Sequence, residues 1–106
     1  MDADEKLFID IIHQALEAAK DADTETLGLQ VKGANTREDF EAFMTRFFEQ
    51  AGEVPLLSEN RFKIVMLVGG QRSWRKARDL VMLALAAFDR SHEDHGQELW
   101  PSRRDR

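Results

Sequence analysis

Phe40, Phe43, Met44, Phe47 and Phe48 follow one another at i, i+3, i+4, i+7 and i+8. Only an α-helix gathers that spacing onto one face. Asn35 or Thr36 offers an N-cap, and Glu38 or Asp39 stands where a capping box needs its acid. Gly52 suits the position just past the last turn. The spacing predicts a helix over 36–51. Four phenylalanines on one face also suggest a platform for stacking bases, but capped helical spacing of this kind points to a core. In a chain of 106 residues that one face supplies much of the burial a small domain needs.

The same period recurs on either side. Taking Phe8 as the origin, Ile11, Ile12, Ala15, Leu16, Ala19 and Ala22 all fall within ~80° of it, which predicts a helix over 4–22. Asp2, Asp4 and Glu5 lie in or before its first turn, where the dipole favours negative charge. His13 falls ~140° from the stripe and is expected to be solvated. Over 72–90, Trp74, Ala77, Val81, Ala84, Leu85 and Phe88 share one face. The run LVMLALAAF then widens that face until the helix is apolar nearly all round, as for a central or partner-covered helix.

The segments between are less regular. DADTETLGLQVKGA carries Gly28, Gly33 and a brief alternation at Leu27, Leu29 and Val31, and reads as a loop that tucks its leucines onto the core. Val54-Pro55 breaks the chain, and Ser58 offers a cap for an element running to about Val68. The stretch RFKIVMLV fits a buried helix or a buried strand. As a strand, IVMLVGG would open a phosphate-binding α/β unit, but Gly69-Gly70 matches neither glycine-rich fingerprint and only LGLQV offers a second strand. A helix ended by Gly69-Gly70 is the preferred reading.

The expected fold is therefore all-α. It is a four-helix bundle over 1–90, with helices near 4–22, 36–51, 58–68 and 72–90. Phe8, Ile12, Phe40, Phe43, Phe47, Leu67, Val81, Leu85 and Phe88 form its core. Residues 91–106 are a polar tail, disordered or extended.

Several function classes find no residues to carry them. The absence of cysteine removes disulfides, thiolate zinc sites and a cysteine nucleophile. HEDH at 92–95 brings its second histidine one position too early for two ligands on one helical face, so no metal or cofactor is expected. The acids of the first half belong to polar helix faces, and the serines, threonines and histidines form no triad. The expectation is a non-catalytic protein. No apolar run approaches the length of a membrane span, and the acidic start MDADEKLF fits neither a secretory nor a transit peptide, so the expected location is cytoplasmic.

Charge is unevenly divided. Residues 1–59 hold five basic and fourteen acidic side chains, whereas 60–90 hold seven basic and two acidic. Between Asn60 and Arg78 no acid occurs, yet Arg61, Lys63, Arg72, Arg75, Lys76 and Arg78 all fall there. Arg72, Arg75 and Lys76 project opposite the core face at the start of a helix, where the dipole is already positive and backbone N–H groups are free. Asp79 can pair with Arg75 or Lys76 but cannot neutralise them all. Together these features make an anion site that suits phosphate, with Arg61 and Lys63 extending it. A solvated face paired with the acidic half of the same or a neighbouring molecule is the competing reading.

NRFKIVMLVGG and QRSWRKARDLVMLALAAF, in an acidic, cysteine-free helical chain with one arginine-rich helix junction, resemble the small helical subunit of class 1 CRISPR effector complexes. The resemblance implies a structural subunit, present in several copies side by side among other subunits. It further implies that Arg61, Lys63, Arg72, Arg75, Lys76 and Arg78 touch the backbone of guide RNA or target nucleic acid. The acidic first helix departs from that pattern unless it faces a basic surface. The alternative is an acidic helical protein–protein adaptor or inhibitor with no nucleic-acid contact.

Overall fold

The computed structural model describes residues 2–19 and 22–99, with 91–99 as backbone only. Among them every regular element is a helix: α1 (Ala3–Ala18), α2 (Thr24–Lys32), α3 (Arg37–Ala51), α4 (Pro55–Glu59), α5 (Arg61–Gly69) and α6 (Trp74–Leu99). The all-α expectation holds, with six helices in place of four. Among the described residues no helix is long and apolar enough to cross a membrane.

α6 is the central element and packs on α1, α2, α3 and α5. The face read from the sequence is the one it buries: Trp74, Ala77, Val81, Ala84 and Leu85 are inside, joined by Leu80, while Phe88 is half-buried. Phe8, Ile12, Phe40, Phe43 and Phe47 are also in the core as expected; Leu67 is only half-buried. The α6 backbone continues to Leu99, taking in residues 91–99 of the stretch expected to be a disordered or extended tail. Residues 100–106 and the side chains of HEDH lie outside the described residues.

Local signals explain the helix ends. Asp2 and Glu5 form a reciprocal capping box on α1. Thr36 caps α3 by accepting from the Asp39 amide at 3.1 Å, and Gly52 ends it with φ 80°, a conformation that favours glycine. Phe43 and Phe47 stack at 6.0 Å, so the α3 phenylalanines serve the core and not a base platform.

Three expectations are corrected. The segment read as a loop is the helix α2, which begins at Asp23, whose carboxylate accepts from the Glu25 amide at 3.1 Å. It buries Leu27 and Val31 at i and i+4 and leaves Leu29 65% exposed, so the alternation was not a strand signal. The third element divides at Asn60 into α4 and α5. Pro55 starts α4 as an N1 proline, Ser58 lies within it, and Gln14 Oε1 of α1 takes the Leu56 amide at 2.9 Å. RFKIVMLVG is helical throughout, which removes the strand–turn–helix phosphate unit. His13, expected in solvent, is half-buried, with Nε2 3.0 Å from the Ala84 carbonyl oxygen and its ring 6.1 Å from Phe88. A carbonyl only accepts, so Nε2 carries the proton and donates.

Candidate nucleic-acid interface at the junction of α5 and α6

A tight turn brings the two basic helices together. The Ser73 hydroxyl donates back to the Leu67 carbonyl at 2.7 Å, and the Trp74 amide donates to Gly70 O at 2.9 Å. A Cβ at position 70 would run into Ser73 Oγ and the Met66 carbonyl, so this approach requires glycine. Trp74, buried against Phe40 at 6.3 Å, anchors the start of α6. The first-turn amides are partly used by this closure: Ser73 and Trp74 both donate to Gly70 O.

The six basic residues do not form one continuous stripe. Lys63 and Lys76 both reach the N-terminus of α1, where Lys63 Nζ lies 3.6 Å from Asp4 and Lys76 Nζ 3.5 Å from Glu5. Arg75 and Arg78 lie over the Trp74 ring, at 4.8 and 5.4 Å from its centroid. Arg78 also donates to the Ala34 carbonyl at 2.8 Å, tying α6 to the loop between α2 and α3. Arg72 is exposed in the turn, and Arg61 lies on the other side of α5, facing α3. Among the described residues, the side chains of Arg61 and Arg72 have no hydrogen-bonded or ion-paired partner. Lys76 pairs with Glu5 and not with Asp79, so the acidic end of α1 meets the basic surface of its own chain.

This arrangement ranks the cations by what holds them. Arg78 is half-buried and bonded to backbone, so it is part of the fold. The two lysine pairs keep more than half of the lysine side-chain surface in water. Such pairs are worth little and exchange readily for another anion. Sequence reasoning missed Arg37, which donates to Gly69 O at 3.4 Å from the start of α3. Glu38 and Asp39 follow it directly, so local charge counting passes over it.

A family model described as the DevT C-terminal domain matches residues 17–104. The chain belongs to the DevT C-terminal domain family. The match takes in α2 to α6 and with them the whole junction. A 64-residue stretch, 60% of the chain, is 39% identical to "CRISPR-associated protein Cas8a1/Csx13" of Myxococcus xanthus (strain DK1622). The matched stretch is 11% of that relative, so the chain corresponds to about a tenth of a much longer protein. No solved structure matches. The resemblance drawn from the two basic stretches and the relative's name fall in the same class of system.

Proposed function

We propose that this DevT C-terminal domain chain is a non-catalytic helical subunit of a CRISPR-type ribonucleoprotein effector complex, working in the cytoplasm. It holds the backbone of guide RNA or target nucleic acid at the junction of α5 and α6 and packs beside other subunits and copies of itself. The carrying observation is the convergence of Lys63 and Lys76 on the α1 N-terminus, with Arg72 in the adjoining turn, in a chain similar to a CRISPR-associated protein. Phosphates would take the places that Asp4 and Glu5 now fill. Contacts of that kind position a strand without reading its sequence.

The test is the variant Arg72→Glu, Arg75→Glu, Lys76→Glu, reconstituted with partner subunits and titrated with single- and double-stranded targets. Each lost phosphate contact should lower the salt slope of binding by about one, with no change in sequence preference. A second variant, Asp4→Asn with Glu5→Gln, frees Lys63 and Lys76 and should raise both affinity and slope. Wild-type binding in both variants defeats the phosphate reading.

The adaptor reading keeps one observation of its own. Phe62, Val65 and Met66 form an exposed apolar strip on α5, a surface suited to protein.

A further inference from the structure

A hollow of about 320 Å³ opens between α1 and α5, and its lining includes Asp4, Leu7, Phe62, Lys63, Met66 and Leu67. Leu7 and Leu67 are half-buried, whereas Phe62 and Met66 are 78% and 59% exposed. The Lys63 ammonium belongs to the same lining, 3.6 Å from Asp4, with more than half of its side chain in water. Lys76 reaches Glu5, the next residue of α1, in a pair of the same exposed kind. An aromatic ring in water and two exchangeable cations therefore share one side of the molecule.

We propose that Phe62 stacks an unpaired base of the strand whose phosphates Lys63 and Lys76 hold. The inference rests on the phosphate reading given above and narrows its ligand to single-stranded nucleic acid. Within a duplex each base face is covered by its neighbours, so only an unpaired base can lie on an exposed ring. Every base has a π-face, so this stacking adds grip without reading sequence, as the phosphate contacts do. Met66, one turn on from Phe62, is a soft and flexible side chain that widens the platform. The other flank of α5 suits phosphate less, because Glu41 and Glu49 line the groove against α3 beside Arg61. The strand is thereby kept on the α1 side. Protein is the weaker occupant of the hollow, since the cores of protein interfaces are poor in lysine and Lys63 stands in the lining.

The test titrates the full chain, assembled with its partner subunits, with a thymidine oligonucleotide, an abasic strand of the same length and a long duplex. The wild type should bind the thymidine strand about tenfold more tightly than the abasic one. Phe62→Leu, which keeps an apolar side chain but no ring, should lose about that factor on the thymidine strand and nothing on the duplex. Its salt slope and thermal unfolding temperature should match the wild type, since the ring carries no charge and is in water. Phe62→Trp should restore the affinity, and the thymidine strand should quench its fluorescence beyond the wild-type change, whereas the abasic strand should not. Equal wild-type affinity for the thymidine and abasic strands overturns the stacking. So does a Phe62→Leu variant with full affinity for the thymidine strand, or one that weakens the duplex as much. Loss of a partner subunit from Phe62→Leu with strand affinity intact would assign the strip to protein instead. Lys63→Gln separates this inference from the reading beneath it, because it should lower the salt slope by about one whether or not a base stacks. A lowered slope with an indifferent Phe62 defeats the stacking alone, and an unchanged slope defeats both.

Discussion

α3 and α5 pack against each other and use their apolar residues in opposite ways. Phe40, Phe43, Met44 and Phe47 of α3 turn to one side and are buried, and its other sides are mostly charged or polar. α5 buries only Ile64 and Val68 and leaves Phe62, Val65 and Met66 in water. A single apolar stripe bounded by charge belongs to a helix with one apolar neighbour. An apolar run with no clear stripe belongs to a helix that is covered from more than one direction. Among the described residues, one side of α5 is covered by the rest of the chain and the second side is not. Loss of period is therefore itself a signal, pointing beyond the chain's own core.

The largest effect should come from treating the two helices alike. Phe47→Ala should cost about 3–5 kcal/mol, because the side chain is buried and stacked on Phe43. Phe62→Ala should stay within about 0.5 kcal/mol in the monomer. Urea unfolding of both variants measures the gap. Equal costs would mean that α5 is closed over by the chain itself and that its strip is core.

A smaller effect sharpens the division among the cations. Arg78→Ala removes a charged donor from the Ala34 carbonyl and a guanidinium from the Trp74 ring, and should cost about 1–2 kcal/mol. Arg72→Ala should cost almost nothing, because among the described residues it has no such partner. If the two unfold alike, Arg78 is as free as Arg72 and belongs with the binding surface.

The division between legible and illegible features follows sequence distance. α3 and the buried face of α6 match the reading, and so does α1 except that it ends at Ala18 and not at residue 22, since the periods of these helices lie within a few residues. α2 was missed because nine residues with two buried positions hold barely one turn of pattern, and Leu29 added a false alternation. Asp23 ahead of Thr24 and Glu25 was the available start signal. The cations of the junction were all visible, but their partners were not. Lys76 meets Glu5, Arg78 meets Ala34 and His13 meets Ala84, contacts that only tertiary packing creates. For the same reason, reversing the charges of Arg75 and Lys76 removes the Glu5 pair and the Arg75–Trp74 stack, and not a pair with Asp79.

The lysine pairs sit one step lower. Lys63→Ala or Lys76→Ala should each change stability by roughly 0.2–1 kcal/mol, and less as salt rises, because both members of each pair are at least partly in water. Urea midpoints at dilute and half-molar salt give the comparison. A cost that persists in high salt would mark the lysines as structural, with Arg78, and remove them from the exchangeable surface.

The smallest effect concerns α2 and acid. Asp23 accepts from the Thr26 hydroxyl at 2.7 Å, and this bond, with the amides of Thr26 and Glu25, holds its carboxyl below the ordinary carboxylate range. A carboxyl lowered on folding stabilises the cap above its unfolded value of about 3.9 and loses that contribution as pH falls through the lower folded value. Asp23→Asn keeps an acceptor for the helix amides but cannot titrate. The wild type should therefore protect the α2 amides from hydrogen exchange better than Asp23→Asn at neutral pH, and the difference should close below about pH 4. α3, capped by the uncharged Thr36, serves as the internal reference and should show no such convergence. If α2 and α3 lose protection together in acid, the whole bundle is opening, and the Asp23 cap is not what acid releases first.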